Sequence, residues 1–319
     1  MSNKSWTSKL IATAVLSTIA ATAWADDPVT PVIPGVVAGG IEIQLIKEDF
    51  TGTEGPITLP DGSLIFTETQ ANRITRIAAD GSTSTFISDS NGANGLGFTA
   101  NGDLYAAQTL KPRVGIIYPQ NKAKVLADQF EGTPLGRPND LVVDKKGGVY
   151  FTDPGVAAKP GEPPKTKPAV YYIKPSGELL RIITDIERPN GIQLSPDEKV
   201  LYVANTAGEY VFAYDVAADG SIGPRRKFAL LEGLHKTETG TSSGADGLAV
   251  DAEGRLYVAT TEGIQVFSRI GIALGTIALP KAPQNLAFAG PDKKTLYVVG
   301  RGSAYKFAVL TPGVAGRAK

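Results

Sequence analysis

The stretch Gly136–Gly155, GRPNDLVVDKKGGVYFTDPG, decides the fold. A polar tip, Arg137-Pro138-Asn139-Asp140, comes first. A short apolar strand, Leu141-Val142-Val143, follows, then a turn over Asp144–Gly148 and a second strand, Val149-Tyr150-Phe151-Thr152. Val, Tyr, Phe and Thr suit a pleated, half-buried surface, and the Lys-Gly-Gly centre suits a hairpin turn.

The phrase recurs with other side chains at its tip. Glu54-Gly55-Pro56 precedes ITL, a Pro60-Asp61-Gly62 turn and Ser63–Thr67. Asn94-Gly95 precedes LGF and DLYAA. Arg188-Pro189-Asn190-Gly191 precedes IQL and VLYVAN. Gly244-Ala245-Asp246-Gly247 precedes LAV and RLYVAT, and Gln284-Asn285 precedes LAF and TLYVVG. One or two further strands, such as RITRIAA and AVYYIKP, follow each copy. Tips at 54, 94, 139, 190, 246 and 285 are 40, 45, 51, 56 and 39 residues apart. A period of this length with about four strands per unit is the mark of a β-propeller blade, and six copies predict an all-β, six-bladed β-propeller. No segment outside the first 25 residues has helical periodicity. Only short strands follow the sixth copy, the last over Ala304–Leu310. The alternating strand Ile41–Phe50 is therefore expected to complete the last blade and close the ring.

Composition narrows the function. Apolar residues make up 42%, which excludes a disordered chain. Formal net charge is zero, so no nucleic-acid partner is expected. His235 is the single histidine and there is no cysteine, which removes thiolate nucleophiles, Cys or multi-His zinc sites, and disulfides.

The ends read separately. Residues 1–25 have Lys4 and Lys9, an apolar run Leu10–Ala23 and an Ala23-Trp24-Ala25 cleavage site, the pattern of a secretory signal peptide. The run is too short to span a bilayer, so a periplasmic or secreted protein with no membrane contact after signal removal is expected. Residues 26–40, DDPVTPVIPGVVAGG, read as a Pro/Gly-rich linker, 41–312 as the propeller domain and 313–319 as a C-terminal tail. Two polar insertions, 154–168 and 231–244, can overhang the centre as lids or remain rim loops. The second contains Gly240-Thr241-Ser242-Ser243-Gly244, which matches G-x-S-x-G but lacks the strand-to-helix elbow that motif needs; His235 reads as a loop residue.

In a propeller the first strand of every blade lines the axis, so the tips converge. Glu54, Asn94, Asn139, Asn190, Asp246 and Asn285 all carry side-chain oxygen, and two are carboxylates. Hard oxygen ligands with a charge of −2 fit Ca²⁺, and Mg²⁺ less well because of its stricter octahedron.

These motifs resemble the gluconolactonase/senescence-marker-protein family of six-bladed propellers over roughly residues 45–310. The likeness rests on Glu54-Gly55-Pro56, Ala93-Asn94-Gly95-Leu96, Pro138-Asn139-Asp140-Leu141 with Tyr150-Phe151-Thr152-Asp153-Pro154, Pro189-Asn190-Gly191-Ile192 and Ala245-Asp246-Gly247. The resemblance implies one catalytic divalent cation, commonly Ca²⁺, on Glu54, Asn139, Asn190 and Asp246. It also implies substrate contacts from Arg137 and Asn94, and hydrolysis of a small-molecule lactone, with Asp246 assisting the attacking water. It assigns no role to Asn285. A phosphotriesterase-like hydrolase on the same metal, or a non-catalytic binding propeller, is the alternative. A monomer is expected.

Overall fold

The computed structural model describes Met1 and residues 28–156, 165–237 and 240–319. The segment expected to be a signal peptide, with its expected cleavage site, and the middle of the 154–168 insertion lie outside the described residues. Six four-stranded antiparallel sheets make up the domain: blade 1 over 53–88, blade 2 over 93–127, blade 3 over 141–183, blade 4 over 189–230, blade 5 over 248–277 and blade 6 over 285–308. Blade 6 has only three strands of its own. Strand Gln44–Lys47 supplies the fourth, pairing Gln44 with Lys306 and Leu45 with Tyr305 on Ser303–Ala308. The ring therefore closes through the N-terminal strand, as the pattern requires. That strand is shorter than the alternation over Ile41–Phe50 suggests, and a register shift between Leu45 and Lys47 lies within it.

The turns within blades follow from their acidic residues. The carboxylates of Asp61, Asp144, Asp197, Asp251 and Asp292 accept from the backbone N–H two residues on, at Ser63, Lys146, Lys199, Glu253 and Lys294. Each is a side-chain mimic of a backbone turn.

Core packing lies between the blades. Six apolar clusters each join one blade to the next. Ile57, Ile65 and Ile74 of blade 1 meet Leu96 and Leu104 of blade 2, and Phe50, Leu64 and Phe66 meet Tyr297 and Val299 of blade 6. The sheets thus pack face to face in a circle, and the axis is left to the polar ends of the innermost strands.

The two terminal segments are not loose. Residues 28–40, which composition marks as a linker, bridge Val29 to Glu42 and Ile33 to Val37. Ile33, Val36 and Val37 are buried against Ile264 and Ile277 of blade 5. Burying three aliphatic side chains is worth several kcal/mol at roughly 1.5–3 kcal/mol each, which explains why Pro and Gly do not leave this segment free. Residues 313–319 run across the end of the ring opposite the tips. Gly313 bridges Asp251, Thr58 N–H donates to the Ala318 carbonyl at 2.7 Å, and the Arg317 guanidinium donates to the Leu194 and Ser195 carbonyls.

Candidate metal and active site

The tips are tied to one another by backbone. Gly95 N–H donates to the Asn139 carbonyl at 2.7 Å, Gly191 to Asp246 at 3.1 Å and Gly247 to Gln284 at 2.8 Å. Threonine hydroxyls of the second strands add to this: Thr67 donates to the Asn94 carbonyl and Thr152 to the Asn190 carbonyl, at 2.9 and 2.6 Å. The glycines after the tips of blades 2, 4 and 5 are there for close approach rather than for a turn. A Cβ on Gly191 would lie 2.1 Å from the Asp246 carbonyl oxygen, and one on Gly95 would lie 2.6 Å from the Asp140 Cα.

This ladder corrects one position. Gln284, not Asn285, occupies the tip register of blade 6, because its carbonyl receives Gly247 N–H as Asp246 receives Gly191. Asn285 stands one residue further in, in the place held by glycine in blades 1, 2, 4 and 5. Blade 3 has Asp140 at that place. Asn285 and Asp140 share a conformation, each accepting from its neighbour's N–H, Leu286 or Leu141, at 2.9 Å.

The side chains gather as follows. Glu54 is buried, and receives Asn285 Nδ2 at 3.3 Å and Gln284 Nε2 at 3.4 Å. Asn94 and Asn190 are buried, Asn139 and Asp246 half-buried. Asn190 Nδ2 donates to the Thr206 hydroxyl at 3.0 Å; that hydroxyl spends its proton on the Ala245 carbonyl at 2.7 Å, so it can only accept. The amide orientation follows, and Asn190 Oδ1 is left over. Among the described residues it is one of three tip oxygens sealed from solvent with no partner, with Asn94 Oδ1 and Asp246 Oδ1. Orphaned buried oxygens are costly and call for a donor or a cation.

Electrostatics point the same way. Burial pushes the Glu54 carboxyl up to about 7 despite its bond from Asn285. Burial, then the charges of Glu54 and Asp140, hold Asp246 well above the usual carboxylate range. Two buried carboxylates repelling one another beside unpartnered amide oxygens suit a hard divalent ion. Among the described residues no three His, Asp or Glu side chains cluster as a ligand set, so the Asn oxygens would complete the shell.

The rim is held by a residue that the tip pattern does not reveal. Asp153, buried at the end of the second strand of blade 3, accepts from Gly136, Arg137 and Gly155 N–H at 2.7, 2.8 and 2.8 Å. It fixes the loop that presents Arg137, whose exposed guanidinium makes no ion pair among the described residues. Asn205 of blade 4 does the same for Arg188 N–H at 3.1 Å. A polar residue closing the second strands of blades 1 to 4, Glu68, Gln108, Asp153 and Asn205, is the sequence signal for this clamp.

The insertion 231–244 contains a hairpin, His235–Thr237 with Gly240–Ser242. Ser242 Oγ donates to the Thr206 carbonyl at 2.8 Å, and His235 pairs with Glu262 at 3.1 Å. The G-x-S-x-G match thus lies on a β-hairpin, and its serine and histidine are engaged elsewhere.

Fold and site together define a six-bladed propeller with an acid-and-amide oxygen cluster on its axis. The model of the SMP-30/gluconolactonase/LRE-like region matches residues 52–301, and the chain belongs to that family. It is 28% identical to a gluconolactonase of Zymomonas mobilis over 293 residues, 84% of this chain and 82% of the relative. The solved gluconolactonase of Xanthomonas campestris superposes with a TM-score of 0.75 at 25% identity, covering 89% of this chain and 97% of that one. The calcium-binding regucalcin of Agrobacterium tumefaciens shares the fold, with a TM-score of 0.69 at 19% identity, 88% of this chain and 95% of that one being covered.

Proposed function

We propose that the chain hydrolyses lactones of the sugar-acid type at the axial site, with Ca²⁺ held by Glu54, Asn139, Asn190 and Asp246. The observation that carries this is the set of sealed, unpartnered oxygens on Asn94, Asn190 and Asp246 beside the buried Glu54. The gluconolactonase relatives support the substrate class. A bound cation would supply Lewis acidity to the ester carbonyl and to water. The chain's own groups do the rest. Asp246 accepts the proton of the attacking water, and returns it to the ring oxygen that leaves as a hydroxyl. Arg137, its backbone locked by Asp153, offers a planar fork of donors to substrate oxygens at the rim. Asn94 contributes a further oxygen beside the ligands, for substrate or cation.

Relative kcat/KM on a panel of aldonolactones and organophosphate triesters tests the reading. Aldonolactones are expected to be preferred, with activity lost in a chelator and restored by Ca²⁺. A preference for triesters would make the protein a phosphotriesterase, and no turnover of either with Ca²⁺ present would favour a binding propeller. We also propose that the protein works in the periplasm or outside the cell after loss of residues 1–25. N-terminal sequencing of exported material is expected to begin at Asp26, and a start at Met1 would refute export by cleavage.

A further inference from the structure

The channel below the tips holds a third carboxylate that the proposed ligand set leaves unexplained. Asp140 is buried, with 1% of its side chain exposed, and stands where four other blades have glycine. Its Oδ1 accepts Leu141 N–H. Its Oδ2 lies 2.5 Å from the Lys319 ammonium, whose side chain is only 5% exposed. That lysine reaches Asp140 from the end of the ring opposite the tips.

Segment 313–319 is built to hold it there. Gly313 is bridged to Asp251, and Arg317 donates to Leu194 and Ser195 of blade 4 and pairs with Glu198 at 3.4 Å. The Lys293 ammonium donates to the Val314 and Arg317 carbonyls. Ala318 packs on the cluster between blades 1 and 2, and its carbonyl receives Thr58 N–H. Ties to blades 1, 4, 5 and 6 hold the segment where the Lys319 ammonium meets Asp140.

We infer that Lys319 is a built-in counter-ion that neutralises Asp140 inside the channel and so sets the charge offered to a cation at the tips. The inference rests on the metal reading above only in its second half. Glu54, Asp246 and Asp140 carry −3 when ionised, and one ammonium brings this to −2, the charge a divalent ion cancels. The lysine charge acts on both tip carboxylates, opposing the effect of Asp140 on each. Among the described residues Lys319 makes no hydrogen bond to the proposed ligands, so we assign it a positioning role. Its partner matters because a buried charge without one is strongly unfavourable, whereas the neutral pair of substitutions is tolerated.

A double-mutant cycle tests this on the full chain: Lys319→Met, Asp140→Asn and both together. Two quantities are read: the melting temperature of chelator-treated protein and the Kd for Ca²⁺ itself by calorimetry. Lys319→Met is expected to lower the metal-free melting temperature by about 5 °C and to tighten Ca²⁺ about tenfold, since one more negative charge faces the ion. Asp140→Asn is expected to weaken Ca²⁺ about tenfold. The double variant is expected to return both quantities toward wild type. Unchanged melting temperature and Kd in Lys319→Met would overturn the inference, as would an Asp140→Asn effect that is the same whichever residue stands at 319. Should wild type take up no Ca²⁺, the metal reading and the charge-setting role fail together. The metal-free cycle still decides whether Lys319 and Asp140 are coupled.

Discussion

The Asp246→Asn variant is expected to lose about 10²–10⁴-fold in lactone turnover at saturating Ca²⁺, the range typical of a lost general base. The substitution is nearly isosteric. Blade 5 holds the backbone on both sides, Asp246 N–H donating to Ala259 and Ala259 N–H to Gly247, so the side chain should stay in place. One side-chain oxygen survives for a cation, while the proton acceptor and one negative charge are gone. Affinity for Ca²⁺ should therefore weaken moderately and the rate far more. The metal-free protein should be no less stable than wild type. Burial and the charges of Glu54 and Asp140 raise the Asp246 carboxyl, so ionising it costs the fold stability, and an amide is spared that cost. Asn190→Ala is the contrast: it removes a neutral oxygen and no base, and excess Ca²⁺ should restore more of its activity. Rescue of Asp246→Asn by Ca²⁺ to near wild-type turnover would reduce Asp246 to a ligand and pass the base role to Glu54.

The ring and its tips were legible because each blade repeats one phrase, and repetition survives side-chain variation. The missing fourth strand of blade 6 was legible too, since a closed ring cannot leave that edge open. What escaped the reading has specific causes. Asn285 carries the same side chain as the tips Asn94, Asn139 and Asn190, whereas counting back two residues from the first apolar position, Leu96, Leu141, Ile192, Leu248 and Leu286, leads to Gln284. Asp140 stands in a polar tip, and only comparison with Gly55, Gly95, Gly191 and Gly247 of four other copies shows that its place normally admits a neighbouring blade. Pro and Gly mark residues 26–40 as a linker, whereas Ile33, Val36 and Val37 within them are apolar and pack on blade 5. Nothing periodic marks 313–319, because the segment makes unlike contacts with several blades in turn. Its place is a product of the closed ring and exists only after folding.

The spacing of the tips is the site's other requirement, and Gly191→Ala puts it under direct steric strain. This glycine lies between the ligand candidate Asn190 and the carbonyl of the ligand candidate Asp246. An added Cβ would fall 2.1 Å from that carbonyl oxygen and 3.0 Å from the Gly247 backbone. The obstacle is main chain on a neighbouring blade, so no rotamer change relieves it. The blades must part, and the Gly191 N–H bond to Asp246 must lengthen or break. Overpacking of this kind costs about 3 kcal/mol, a fall of roughly 6 °C or more in Tm for a domain of this size. Turnover is expected to fall by about 10²-fold even in the folded fraction, because a shift near 1 Å between Asn190 and Asp246 is enough. Gly102→Ala separates steric from conformational causes. Gly102 has φ 79° with open space around it, at a turn on the far end of blade 2. Its substitution should cost about 1 kcal/mol of backbone strain and leave turnover unchanged. Wild-type turnover in Gly191→Ala would mean that tip-to-tip backbone contact does not set the geometry of the reaction.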